Sequence, residues 1–171
     1  MQQIVSDRLI LKPVALQDAP FILELQNMPK WLKYIGDRNL KTVADTELYI
    51  KAKMIEHYKE HGYGNYVICH KEEGHKMGTC GLFNRPGLEG VDIGFALLPQ
   101  FEGKGYGYES SVAIMEFARN SLKLKKLSAI VLPENQASVR LIEKLGLKFI
   151  KKVQLPDDPE QLDYYEILLN K

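Results

Sequence analysis

Cysteine is scarce in this chain: Cys69 and Cys80 are the only two among 171 residues. They lie in separate strand-like segments without metal-ligand spacing, which argues against a cysteine-rich zinc module or a disulfide-stapled scaffold. Neighbouring strands can bring two such residues together, so one bridge stays open, beside the plainer expectation of two buried free thiols. An excess of one charge sign is also missing. Lys+Arg number 23 against 22 Asp+Glu, for a net charge of +1. That removes any global attraction to nucleic acid or an anionic membrane and leaves only a local basic patch possible. No apolar run approaches the roughly 20 residues that cross a bilayer. Residues Met1–Asp7 are short and polar, unlike a secretory signal, so a reducing cytoplasm is expected. There is no Pro/Gly/Ser-rich linker, repeat or low-complexity tract. A chain of this length buries a core without staples, and one domain over residues 1–171 is expected.

What is present is a change of hydrophobic period along the chain. Arg8–Val14 reads as a strand, Gln17–Gln26 as a short helix and Pro29–Ile35 as another, with Pro29 suited to a first helical turn. Thr42 opens a third helix with Asp45 placed to complete a capping box. Leu48, Ala52 and Ile55 follow at helical spacing, and Gly62 is the stop. Asn65–Lys71, Lys76–Asn84 and Val91–Leu98 then read as three strands of an antiparallel meander. A long helix from about Lys104 to Leu122 carries Val112, Met115, Ala118 and Leu122 along one stripe. A strand at Leu127–Leu132, a helix at Gln136–Leu145 stopped by Gly146, and strands at Leu147–Gln154 and Asp163–Leu169 complete an α+β pattern.

The segment between the third meander strand and the long helix carries the clearest chemistry. In Leu98-Pro99-Gln100-Phe101-Glu102-Gly103-Lys104-Gly105-Tyr106-Gly107-Tyr108-Glu109, glycines alternate with other residues just before a helix begins. Without Cβ atoms in the way, successive backbone N–H groups can converge on one point, and the helix N-terminus adds unpaired donors. The result is a phosphate cradle that needs no basic side chain. It is not a P-loop, because Gly103-Lys104 is followed by Gly105 and Leu98 stands five residues before Gly103. It is not a dinucleotide fingerprint either, since the spacing is G-x-G-x-G and an antiparallel meander precedes it. A tight strand-to-helix turn that uses glycine for shape alone is the remaining alternative.

Gln100-x-x-Gly103-x-Gly105 resembles the Q/R-x-x-G-x-G/A signature of the GNAT superfamily. Asn135-Gln136-Ala137-Ser138-Val139-Arg140-Leu141-Ile142-Glu143-Lys144-Leu145-Gly146 resembles that family's second motif, N-x-x-S-x-x-L-x-x-K-x-G. One long helix and one strand separate them, as in the family. Arg8-Leu9-Ile10-Leu11-Lys12-Pro13 and Asp92-Ile93-Gly94-Phe95 look like the RimJ/RimL-type branch, and the likeness covers essentially the whole chain.

This resemblance implies a mixed, mostly antiparallel seven-stranded sheet flanked by helices and splayed between its fourth strand (Val91–Leu98) and fifth strand (Leu127–Leu132). Acetyl-CoA is implied to lie in the splay, with its pantetheine arm paired to backbone at Phe95, Ala96 and Leu97 in the manner of an added strand. Its pyrophosphate is implied to rest on the turn from Glu102 through Gly103, Lys104, Gly105 and Tyr106 to Gly107, behind Gln100. Asn135 and Ser138 are implied to attend the thioester end. The implied reaction is attack by a primary amine, on a small molecule or a protein N-terminus, directly on the thioester. A homodimer is implied by analogy only, and no metal or nucleic acid enters.

Asp92 is the candidate base, against a structural pairing with Arg85 across the hairpin. Ser138 is the candidate contact to the CoA sulfur, against a first-turn helix hydroxyl, and Asn135 is equally a helix N-cap. Many relatives carry a tyrosine four residues beyond the serine. Here that position is Ile142, which leaves the general acid open to Tyr106, Tyr108 or water and keeps a non-catalytic CoA-binding module as the alternative function. Trp31 and Tyr34 are either an acceptor wall or core, and core is the commoner role for aromatics at such spacing. Asp157, Asp158 and Glu160 form either a cation-attracting loop or a solvated turn. His57, His61, His70 and His75 show no metal or nucleophile pattern and read as surface residues.

Overall fold

The computed structural model of the protein describes residues 2–170. Its strands are β1 (Ile4–Val5), β2 (Leu9–Pro13), β3 (Asn65–His70), β4 (Lys76–Phe83), β5 (Asp92–Leu97), β6 (Lys126–Val131), β7 (Lys148–Val153) and β8 (Leu162–Leu168). Its helices are α1 (Ala19–Gln26), α2 (Pro29–Tyr34), α3 (Val43–Tyr49), α4 (Glu56–His61), α5 (Tyr106–Asn120) and α6 (Gln136–Lys144). The strands form one sheet in the order β1-β2-β3-β4-β5-β6-β8-β7. The expected seven strands are thus eight among the described residues. The addition is β1, whose Ile4 and Val5 pair with Leu11 and Ile10 at the sheet edge. Two residues carry no readable period, and the pairing exists only because β2 offers an open edge.

Every neighbouring pair is antiparallel except β5–β6. The β4–β5 ladder runs from Gly78↔Leu97 to Phe83↔Asp92, whereas β5 and β6 share the single pair Asp92↔Ser128. Ser128 secures that point by donating its N–H to the Val91 carbonyl at 3.0 Å. Beyond Asp92 the two strands separate, because β6 continues into a six-pair ladder with β8. The implied splay is therefore present, between β5 and β6.

The sheet has a core on each face. One holds Tyr66, Ile68, Cys80, Leu82 and Ile93 under α5 and α6; the other holds Val67, Cys69, Phe21, Ile22, Ile50 and Met54 under the early helices. Cys69 and Cys80 consequently lie on opposite faces, free and buried, and cannot bridge.

Thr42 and Asp45 form the expected capping box, with Thr42 Oγ1 accepting the Asp45 N–H at 3.0 Å and Asp45 Oδ2 accepting the Thr42 N–H at 3.1 Å. The face that follows differs from expectation. Thr46, Ile50 and Met54 are buried, while Leu48 is 69% exposed and Ala52 is exposed. Between α3 and α4 the chain winds as a π-helix over Ile50–Ile55. The buried residues keep i, i+4 spacing through this wider turn, so the difference is one of phase: the inward face is the one that starts at the polar Thr46, not the one that starts at Leu48. Gly62 stops α4 at φ +78°, as expected. The long helix α5 carries Met115 and Ala118 into the core, with Val112 and Leu122 partly buried against it.

Candidate functional site

The glycine-rich turn begins where β5 ends. The Leu98 N–H donates to Met77 O at 2.8 Å, and Pro99–Phe101 forms one 3₁₀ turn. Within it the Glu102 N–H donates to Pro99 O at 3.2 Å, so Glu102 offers no free backbone donor to an anion. Gly103 and Gly105 both sit in the left-handed region, at φ +72° and +83°, where L side chains are strained. Gly105 caps α5, which starts at Tyr106 rather than Lys104, and its carbonyl accepts the Glu109 N–H at 3.0 Å. Gly107 stands where α6 approaches: a Cβ there would lie 3.2 Å from Leu141 Cδ2. The glycines thus meet three requirements: two reversed backbone angles and one close helix approach.

A cleft of about 600 Å³ runs along this turn. Phe95, Ala96, Leu97, Glu102, Gly103, Gly105, Gly107, Asn135 and Ser138, all singled out from the sequence, line it. Gln100, Lys104 and Tyr106 do not. Lys104 turns its carbonyl to Arg8 Nη1 at 3.1 Å, and the Tyr106 ring lies 4.5 Å beneath the Arg8 guanidinium. Sequence reasoning missed Arg140 and Lys144 as lining groups; Lys144 Nζ stands 4.4 Å over the ring of Tyr108, which also lines the cleft. The i, i+4 spacing of Arg140 and Lys144 on α6 was the available signal.

A second cavity, of about 720 Å³, opens between β5, the early helices and the loop before β8. Trp31, Tyr34, Ile35, Phe95, Asn135 and Ser138 line both spaces, so the two meet there. Trp31 and Tyr34 therefore belong to the walls of these cavities; α2 buries no residue completely, although Trp31 also packs on the core. The π-helix contributes Lys53 and Met54, and the loop before β8 contributes Asp157 and Asp158 but not Glu160.

Asp92 lines the second cavity, with its side chain only 1% exposed. Arg85 Nε donates to Asp92 Oδ2 at 2.8 Å, while Oδ1 has no hydrogen-bond partner. Burial pushes the Asp92 carboxyl above its usual range, and the Arg85 guanidinium pulls it partway back. Arg85 is itself held across β5. Its guanidinium lies 4.9 Å over the Phe83 ring, and a Cβ on Gly94 would stand 3.1 Å from that ring. The structural pairing weighed from the sequence is therefore real, and it leaves one carboxylate oxygen unengaged.

Asn135 caps α6, its Oδ1 accepting the Ser138 N–H at 3.4 Å, and still lines both cavities. Ile142, the position at which the family resemblance implied a tyrosine, is buried against the second cavity. Of the two tyrosines offered as its replacement, Tyr108 reaches the cleft and Tyr106 reaches neither cavity.

His57 is half-buried, and both of its ring nitrogens are engaged. Its Nε2 accepts the Asn84 N–H at 3.3 Å, which leaves Nδ1 protonated to donate to Tyr63 O at 3.1 Å. Among the described residues no cluster of His, Cys, Asp or Glu has a metal-binding arrangement, and no helix is long and apolar enough to cross a membrane.

Residues 8–148 match the model of the acetyltransferase (GNAT) domain. The chain is 29% identical over 151 residues to the uncharacterized N-acetyltransferase p20 of Bacillus licheniformis, covering 86% of this chain and 83% of that protein. The ribosomal L7/L12 α-N-protein acetyltransferase RimL in complex with coenzyme A superimposes with a TM-score of 0.81 at 18% identity, covering 98% of each chain. Spermidine N-acetyltransferase from Vibrio cholerae, in complex with CoA and spermine, gives 0.79 at 17% identity, covering 96% of this chain and 97% of that one. These two share the fold. With the family match spanning most of the sequence, the chain belongs to the GNAT family and is an N-acetyltransferase.

Proposed function

We propose that the cleft beside the glycine turn holds acetyl-CoA, and that a primary amine reaches the thioester through the second cavity. The observation that carries this reading is the junction: Trp31, Tyr34, Ile35, Phe95, Asn135 and Ser138 border both spaces, so two ligands entering separately meet at one place. The open edge of β5 past Asp92 accepts the pantetheine arm as an added strand along Phe95, Ala96 and Leu97. The turn supplies N–H donors from Gly103 to Gly107 for the pyrophosphate, with Arg140 and Lys144 adding positive charge at the cleft wall. RimL and the spermidine enzyme, each solved with CoA, support the cofactor; one name specifies a protein α-amine and the other a polyamine. We extend the acetyltransferase unit to the whole of residues 1–171.

Attack requires a neutral amine. An alkyl ammonium of pKa about 10 is almost wholly protonated at neutral pH, whereas an α-amine near 8 is partly free. Asp92 is the proposed base. Arg85 occupies Oδ2 and keeps the carboxylate available, and Oδ1 takes the proton directly or through one water. A backbone N–H of β5 stabilises the oxyanion, and the Ser138 hydroxyl donates to the departing thiolate.

The test is thiol release from acetyl-CoA with small amines, polyamines and peptides bearing free N-termini. Release that depends on one acceptor, with one acetyl group added to it, supports the reading. Tight CoA binding without turnover on any acceptor supports the non-catalytic module instead.

A further inference from the structure

Arg8 lies almost a hundred residues before the glycine turn, yet it is the side chain most engaged with it. Its Nε donates to Glu109 Oε2 at 2.7 Å, and its own N–H donates to Glu109 Oε1 at 2.7 Å, an oxygen also reached by Ser6 Oγ at 2.7 Å. Its Nη1 donates to the Lys104 carbonyl at 3.1 Å, its guanidinium covers the Tyr106 ring at 4.5 Å, and its Nη2 lies 3.2 Å from where a Cβ on Gly105 would stand.

The direction of one peptide unit follows. In a trans peptide the carbonyl of one residue and the N–H of the next point to opposite sides. With the Lys104 C=O drawn toward Arg8, the Gly105 N–H points away from Arg8. The cleft lies on that side: Gly103, Gly105 and Gly107 line it, and Arg8, Lys104 and Tyr106 do not. Charge is arranged to the same end. Glu109 stands in the first turn of α5, where an uncompensated carboxylate opposes an anion held on the N-terminal N–H groups. Arg8 neutralises it at contact distance.

We infer that Arg8 is a positioning residue for the pyrophosphate of CoA: it aims the Gly105 N–H into the cleft and cancels the Glu109 charge behind it. The inference rests on the proposal that the glycine turn holds that pyrophosphate. Arg8 itself does not touch the ligand. It acts from the far side of the turn, which is why no glycine-motif search reveals it.

The experiment is titration of the full chain with CoA, read by calorimetry and by the amide resonances of Gly103, Gly105 and the β5 residues Phe95 to Leu97. For R8Q we expect CoA to bind about ten- to a hundredfold more weakly, the loss of one well-aimed hydrogen bond to a charged group. The Gly105 amide is expected to lose its CoA-induced shift while the Phe95–Leu97 amides keep theirs at saturation. R8K carries the same comparison if R8Q does not hold its fold. One ammonium neutralises Glu109 but cannot also fix the Lys104 carbonyl as the planar fork does, so an intermediate affinity is expected. An R8Q or R8K protein that binds CoA within about twofold of wild type, with the Gly105 shift intact, overturns the inference. Wild-type protein that does not bind CoA overturns the underlying cofactor reading as well, so the two failures are distinguishable.

Discussion

Replacing Asp92 with asparagine removes the proposed base while leaving its surroundings in place. Asn has the same shape, and its amide oxygen can still accept from Arg85 Nε, now 2.8 Å from Asp92 Oδ2. The charge-assisted bond weakens to an ordinary one, a loss of about 1 kcal/mol. Against that, a carboxylate buried to 1% exposure no longer has to be held charged away from water. The two effects oppose each other, and the loss of about 1 kcal/mol alone corresponds to about 4 °C, so Tm should fall by no more than that. Turnover should fall much further, by about 10²–10⁴ at neutral pH, the usual worth of a positioned general base. Asp92 lines the second cavity and not the cleft proposed to hold acetyl-CoA, so CoA affinity should stay within about twofold. The assay is initial-rate thiol release from pH 6 to 9 at saturating acetyl-CoA, beside a CoA titration. In the wild type, kcat/KM should rise with pH as the Asp92 carboxyl ionises, on a limb lying above the ordinary carboxylate range because burial raises it. That limb should vanish in the variant. Unchanged turnover of Asp92→Asn over the whole range would make Asp92 a structural partner of Arg85 and nothing more.

Three further outcomes follow from the same geometry. Gly105→Val places a β-branched residue at φ +83° with its Cβ 3.2 Å from Arg8 Nη2, so calorimetry should register no CoA binding; normal binding would remove the turn from the site. Ser138→Ala should lower kcat about tenfold or more at little cost in CoA affinity, and an unchanged kcat would leave Ser138 as a helix-start residue only. Burial, and then the neighbouring His61, hold the His57 pKa below its usual 6.5. The native state therefore prefers the neutral ring, whose stabilising contribution is complete above pH 6.5 and lost as pH falls through the lowered pKa. Urea midpoints measured at pH 7.5 and pH 5 should fall more steeply with acid in the wild type than in His57→Gln, and parallel slopes would dismiss the effect.

Much of the fold was legible because each strand and helix near the cleft carries its own local signals. The Thr42–Asp45 capping box, the Gly62 stop, the meander of β3, β4 and β5, and the Asn135 cap of α6 all stand where residue chemistry placed them. Two features were not legible for physical reasons. The strand β1 is too short to show a period and depends on an edge built by a later segment. The inward face of the third helical segment begins with the polar Thr46 and continues through Ile50 and Met54, so a reading by apolar residues alone put Leu48 and Ala52 on the wrong side. In the site, backbone-driven parts were readable because glycine spacing records backbone geometry. Long-range partners were not: the contacts of Arg8 with Glu109 and the bracing of Asn84 by His57 join distant segments, and no local pattern encodes them. Arg85 was named as a possible partner of Asp92 because a hairpin turn brings the two close, and the pair is there.

The most direct measurement of the central claim is amide hydrogen exchange of the whole chain with and without acetyl-CoA. Past Asp92 the β6-facing edge of β5 has no ladder partner, and Gly103, Gly105 and Gly107 line the cleft. Acetyl-CoA should therefore slow exchange at Phe95–Leu97 and at Gly103–Gly107 together, with weaker effects around Asn135 and Ser138. Protection confined to other segments, or none at saturating acetyl-CoA, would contradict the placement of the cofactor between β5 and β6.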